Sequence, residues 1–281
     1  MKWRTSRTST NVEDRRGMGM GGVGGLGIGG LVIVLIVSML FGKNPLELLG
    51  SVEQAAPTGQ AGTPPPPTEE TEFVGHILGS TEEVWGAVFA RSGSQYPAPN
   101  LVLFSQAVAS ACGRASSAVG PFYCPGDQKV YIDTAFFNEM QARLGGGGDF
   151  AQAYVIAHEV GHHVQTVTGV AGQVDQLRAR GADLQGDNGL LVRQELQADC
   201  YAGVWANLAQ QQYQWLEAGD IEEGLNTAAA IGDDRLQRQQ TGSVVPDSFT
   251  HGTSAQRVRW FKTGFETGDV GRCDTFQARS L

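Results

Sequence analysis

Two short segments carry side chains that could do chemistry together: Ala157-His158-Glu159-Val160-Gly161-His162-His163 and Glu195-Leu196-Gln197-Ala198-Asp199. On a helix turning about 100° per residue, His158 and His162 share one face, so both imidazoles can grip one metal ion while Glu159 stands beside it. A metal held by two neutral imidazoles and a third protein ligand keeps an open position, and water bound there has its pKa lowered to about 7. Glu159 would take the proton from that water.

The second segment supplies the third ligand. Glu195 and Asp199 are also four apart and face one way on a helix. Glu195 is the candidate ligand, and Asp199 is placed to accept the far N–H of a ligating histidine and fix its orientation. Alone, each pattern has an ordinary reading, as surface histidines or as acidic residues on a solvated face. The chain has only five histidines, three of them in the first segment, and the flanks of that segment are apolar. His163 lies about 100° from His162 and cannot easily share the metal, so it is expected to support the site or line a substrate cleft. No C-x-x-C pair is present, which removes support for a zinc finger or ribbon.

The H-E-V-G-H-H segment, His158–His163, and the E-x-Q-A-D-C-x-A-G-x-W segment, Glu195–Trp205, give residues 73–281 a resemblance to the bacterial family described as putative neutral zinc metallopeptidases. The resemblance implies Zn²⁺, a peptide or protein substrate and a membrane anchor. At a broader level, a Glu ligand followed by Asp is similar to gluzincin peptidases. Thr250-His251 with Arg257 resembles a T-H-P…R segment of membrane-associated relatives, which implies that His251 stabilises the oxyanion of the tetrahedral intermediate. Gly252 stands where those relatives have proline.

The expected fold is α+β: a mainly helical, zincin-like domain with a small sheet or hairpin, preceded by one transmembrane helix and a Pro-rich linker. Ser80-Thr-Glu-Glu83 reads as a capping box opening a helix over Thr81–Arg91. A strand is expected near Leu101–Phe104, and Pro121–Cys124 and Lys129–Asp133 read as a hairpin turning at Pro125-Gly126-Asp127. Val130–Asp133 is the candidate edge strand for pairing with an extended peptide. Thr134–Leu144 reads as helical and Gly145–Gly148 as a linker. The metal helix spans Asp149 to about Thr168. Further helices are expected over 174–184, over 188–215 and after an N-cap at Asp220. A last helix follows the capping pattern Thr253-Ser-Ala-Gln256. His76 has no assigned role.

Upstream, residues 17–42 carry no charge and end in the apolar run Leu31–Phe41, long enough for one membrane span. Lys2, Arg4, Arg7, Arg15 and Arg16 precede it, so the positive-inside rule places residues 1–16 in the cytoplasm and the main domain outside the cell membrane. Gly21, Gly25 and Gly29 have the spacing that permits transmembrane-helix pairing, although a Gly-rich segment needs no such role. Residues 43–72 include Pro64–Pro67 and read as a semi-rigid linker. Residues 1–43 hold six Lys or Arg against two Asp or Glu, a balance of +4, which leaves −13 for the remainder of a chain of net charge −9. An acidic outer domain disfavours nucleic acid as a partner.

All four cysteines, Cys112, Cys124, Cys200 and Cys273, follow the span. An even count outside the cytoplasm suggests two disulfides, expected as Cys112–Cys124 and Cys200–Cys273, with four free thiols as the alternative. The functional expectation is a membrane-anchored zinc endopeptidase acting outside the cytoplasmic membrane. Two other readings share its ligands: a silent zinc-stabilised surface binding module, which does not need Glu159, and a zinc amidase acting on cell-wall material.

Overall fold

The computed structural model describes residues 1–16, 66–144 and 147–281, and these form an α+β body dominated by helices. In chain order the elements are β1 (Val12–Asp14), α1 (Glu69–Arg91), β2 (Asn100–Phe104), β3 (Ala107–Ser110), β4 (Gly113–Ser116), β5 (Phe122–Cys124), β6 (Lys129–Asp133), α2 (Ala135–Leu144), α3 (Asp149–Val167), α4 (Val170–Ala179), α5 (Leu190–Tyr213), α6 (Asp220–Ala230), α7 (Asp233–Thr241) and α8 (Ser254–Thr267).

α3 runs through the middle. Phe150, Ala151, Ala153, Tyr154, Ile156, Ala157, Val160 and Val164 are all buried on it, so apolar contact surrounds the helix on most sides. Such a helix is held by tertiary packing rather than by its own propensity. Its partner α5 crosses at Gly161, where an added Cβ would stand 3.1 Å from both Cα and O of Ala198. Two small residues therefore let the two backbones nearly touch. α5 and α8 meet still more closely: a Cβ on Gly264 would lie 2.0 Å from the Cys200 oxygen, and one on Gly203 would lie 2.1 Å from the Phe261 oxygen. Phe150 and Phe261 fill the space beside these crossings, with Trp205 stacked on Phe150.

The main sheet has the order β1-β2-β6-β5. β1 and β6 flank β2 in parallel, while β5 runs antiparallel to β6, with Phe122 opposite Tyr131 and Cys124 opposite Lys129. The hairpin is as expected, but the edge is not. β6 is paired on both sides over Lys129–Tyr131, and among the described residues the edge beside α3 is β5, so Val130–Asp133 is not an edge strand along its length; only Ile132 and Asp133 run past β5. A second small sheet pairs β3 with β4, and the sequence reading did not include it.

The helix expected to open at Thr81 begins at Glu69, inside the stretch assigned to the linker. Thr68 and Thr71 form its capping box. Ser80 and Thr81 are fully buried in its interior, where their hydroxyls donate to the carbonyls of Ile77 and Leu78 at 2.7 Å each. A hydroxyl satisfied within its own turn has no need of a helix end. The helix expected over 174–184 lies at Val170–Ala179, and α7 was not anticipated. At α6 the N-cap is Gly219, and Asp220 is the first residue of the helix.

Residues 1–16, expected as a separate cytoplasmic tail, are built into the body. β1 extends the sheet. Trp3 is buried edge-on against Phe73 at 5.4 Å. Arg7, Ser9 and Asn11 all contact the Glu82 carboxylate, the last two at 2.6 and 2.7 Å. His76 is part of this seam, with Nδ1 2.7 Å from the Ser6 carbonyl. The expected membrane span, its Gly spacing and the linker up to residue 65 lie outside the described residues, as does part of the Gly145–Gly148 stretch. Among the described residues, no helix is long and apolar enough to cross a membrane.

Both expected disulfides are present, Cys112–Cys124 and Cys200–Cys273. The first ties the β3–β4 turn to β5, and the second ties α5 to the C-terminal segment. Replacing a helical Gly with Ala ordinarily stabilises by about 1 kcal/mol, but at Gly264 the new methyl has no space. Gly264→Ala should lower the unfolding free energy by about 1–3 kcal/mol in a urea titration. A gain in stability would show that α5 and α8 are not in backbone contact.

Candidate metal centre

The α3–α5 crossing sets His158 and His162 opposite Glu195. His158 Nε2 lies 3.2 Å from Glu195 Oε2, and His162 Nε2 lies 3.4 Å from Glu195 Oε1. Donors bound about 2.0–2.1 Å from one tetrahedral ion are spaced roughly 3.3–3.4 Å apart. The two histidines and the glutamate therefore have the separation of ligands to one small ion. Two imidazole nitrogens and one carboxylate are a donor set that suits zinc and leaves a fourth position open.

The outer nitrogens are also fixed. Asp199 Oδ1 lies 2.8 Å from His158 Nδ1 and Gln165 Oε1 lies 2.9 Å from His162 Nδ1. Both oxygens can only accept, so each Nδ1 carries hydrogen and each Nε2 directs its remaining site toward Glu195. Gln165 is fully buried, and its Nε2 donates to the Gln194 carbonyl at 2.7 Å and to Gln197 Oε1 at 3.1 Å. Its place at i+3 from His162 was a usable signal that the sequence reading did not take.

Asp199 is a buried hub. It accepts from Tyr154 Oη at 2.5 Å, from Arg257 Nε at 2.9 Å and from Arg257 Nη2 at 2.9 Å, besides its contact with His158. Burial pushes the Asp199 carboxyl up, but the Arg257 and His158 charges outweigh it and hold the pKa at about 2. At His158, burial alone would lower the imidazole pKa. Asp199 on one nitrogen and Glu195 on the other reverse this and lift it to about 10. Burial likewise opposes ionisation of Glu195, yet His162 and His158 keep it well below the usual carboxylate range. Nitrogens facing a carboxylate at this distance require a cation between them, either a proton or a metal ion.

His158, Glu159, His162, Glu195 and His251 line one cavity of about 490 Å³. Phe122, Tyr123, Phe136, Ile231 and Leu236 form its apolar walls. Glu159 is therefore beside the ligand cluster without belonging to it.

His251 reaches the cavity from the turn between α7 and α8. Asp233 Oδ2 accepts the backbone N–H of Thr250 and His251 at 2.7 Å each and that of Gly252 at 3.2 Å, while Asp233 Oδ1 lies 3.1 Å from His251 Nδ1. Burial lowers the His251 pKa, but Asp233 and Glu195 together raise it above the ordinary imidazole value. Gly252 has φ +89°. Proline can neither adopt that angle nor donate the N–H that Asp233 accepts, so the departure at Gly252 is matched by a different fastening of the same turn. Asp233 sits in α7, which the sequence reading did not include, and no motif pointed to it.

His163 is fully buried and does not line the cavity, in contrast to one of its expected roles. Burial lowers its pKa. A second acidic group, Asp149, Asp220 and Glu223, lies at the far end of α3, where Asp149 and Asp220 pair with the α-amine of Met1.

Residues 1–276 match the family described as putative neutral zinc metallopeptidase. The chain is 48% identical over 286 residues to Uncharacterized protein YpfJ of Escherichia coli strain K12, a match covering 98% of this chain and 99% of that protein. It is 50% identical over 196 residues to Uncharacterized protein Rv2575 of Mycobacterium tuberculosis strain H37Rv, covering 66% of this chain and 65% of that one. No solved structure matches the chain.

Asp199→Ala should weaken zinc binding about 10- to 100-fold in a competition titration with a chelating dye; an unchanged affinity would show that Asp199 does not orient His158. The metal-free protein should also respond to pH with a definite sign. The His158 pKa is raised on folding, so its contribution to stability is complete below about 6.5 and is lost as pH rises toward about 10. Zinc needs the neutral imidazole. Melting temperatures of chelator-treated protein should therefore fall over that window, and the stabilisation given by added zinc should grow over it.

Proposed function

The chain belongs to the putative neutral zinc metallopeptidase family, and from this premise we propose that it is a zinc endopeptidase using His158, His162 and Glu195 as metal ligands and Glu159 as general base. The observation that carries the reading is the convergence of the three ligand side chains within 4.8 Å of one another, with Glu159 on the wall of the same cavity. A zinc ion held by His158, His162 and Glu195 would supply Lewis acidity and lower the pKa of a water molecule to about 7. Glu159, on the cavity wall, would accept the proton of the attacking water and deliver it to the leaving amine. His251, held by Asp233, directs an N–H at the carbonyl oxygen as negative charge develops on it. Arg257 and Tyr154 act through Asp199, which keeps the His158 ring in place.

β5 stands at the end of the sheet and lines the cavity. An extended peptide can pair with its open edge as an added strand, placing alternate side chains against the apolar wall. The substrate class supported is thus an extended peptide or unfolded segment with apolar side chains near the cleaved bond. A silent zinc module is disfavoured because structural sites are closed by four protein ligands, whereas among the described residues this cluster has three. We further propose action outside the cytoplasm, which the two disulfides support.

Glu159→Gln should leave zinc content unchanged and reduce peptide turnover about 10²- to 10⁴-fold; retained turnover removes Glu159 from its role. His251→Ala should lower kcat about 10²- to 10³-fold with little change in zinc content, and an unaltered kcat would exclude it as the oxyanion donor.

A further inference from the structure

His163, the last residue of the H-E-V-G-H-H run, has no part in the chemistry above, yet it is among the most enclosed polar groups of the body. Its Nε2 lies 2.6 Å from the Pro97 carbonyl oxygen and its Nδ1 lies 3.1 Å from the Tyr123 hydroxyl. A carbonyl only accepts, so Nε2 carries the hydrogen, and the lone pair on Nδ1 accepts the Tyr123 O–H. The rings of Tyr96 and Tyr123 meet the imidazole edge-on, with centroids 5.7 and 5.5 Å away. One side chain thereby joins three parts of the chain: the metal-bearing helix α3, the segment between α1 and β2, and the strand β5.

The contact at β5 has a geometric effect. Tyr123 is the middle residue of that three-residue strand, and its own backbone stands opposite Val130 of β6. Among the described residues β5 has a neighbouring strand on one side only. Within the sheet Phe122 stacks on Tyr131, with the rings 4.8 Å apart, and toward α3 the Tyr123 hydroxyl meets both Thr166 and His163. The His163 contact is the one that ties the strand to the residue next to the ligand His162.

We propose that His163 is a positioning residue for substrate: through Tyr123 it fixes the open edge of β5 at a set distance from the His158–His162–Glu195 cluster, so that a peptide paired along the strand presents its bond to the site. This rests on the peptidase reading. A plain core contact would support the fold and affect all substrates alike. A device that aligns the strand affects substrates in proportion to how much of the strand they use.

The test compares the unaltered full chain, Tyr123→Phe and His163→Phe, each loaded with zinc and checked for metal content. The substrates are two quenched-fluorescence peptides sharing one cleavable bond, one just long enough to flank it and one long enough to run the length of β5. Tyr123→Phe removes a single hydroxyl and keeps the ring, so it carries the test even where His163→Phe fails to fold. Loss of the hydroxyl's hydrogen bond should raise KM for the long peptide about three- to tenfold more than KM for the short one. Equal changes for both peptides, or none for either, would overturn the positioning role while leaving the peptidase reading intact. Cleavage of neither peptide by the unaltered zinc-loaded protein would overturn the peptidase reading and this proposal with it.

Discussion

The absence of side-chain bulk where α3 crosses α5 governs the whole arrangement. Gly161 lies between His158 and His162, and Ala198 lies between Glu195 and Asp199, so the two small residues separate the two pairs of polar ones. Because the backbones approach so closely there, short carboxylates from one helix can reach imidazoles on the other. A larger residue at either position would move the helices apart by more than the slack in hydrogen bonds of 2.8–3.4 Å. The second close crossing, through Gly203 and Gly264, extends the same logic one layer outward and brings Arg257 to Asp199.

Around this crossing the polar groups form layers that cannot be exchanged at will. A buried charge such as Asp199 is tolerated because Arg257 and His158 both face it, and removing one partner would leave the others uncompensated in a low-dielectric interior. The same network restrains both ligand rings through their hydrogen bonds. Each imidazole has its outer nitrogen committed, to Asp199 in one case and to Gln165 in the other, so little conformational freedom remains to be lost on binding.

Much of this was readable from residue spacing. The i, i+4 pairs at 158/162 and 195/199 report one helix face each, which is a local property and survives without knowledge of the fold. Helices α3 and α5 and the β5–β6 hairpin were legible for the same reason; the even cysteine count pointed to two disulfides, but it does not encode which of three pairings forms. What failed was non-local. Ser80-Thr-Glu-Glu83 is a sound capping pattern, but a helix already begun at Glu69 overrides it. Whether β5 or β6 is the edge depends on β2 coming to lie beside β6, which neither strand's sequence encodes. Asp233 reaches His251 across eighteen residues and belongs to a helix with no distinctive signal.

The docking of residues 1–16 bears on how the chain can meet a bilayer. Arg16 is close enough to Glu70 for their charges to interact, so residue 16 and the first turn of α1 lie side by side on one body. The residues described on either side of the apolar stretch are thus held by one fold. While β1 remains in the sheet, the basic residues ahead of the apolar stretch belong to the same folded body as the metal site. Hydropathy states only that a segment is able to enter lipid; on which side it must emerge is dictated by the partners of the residues on either side of it.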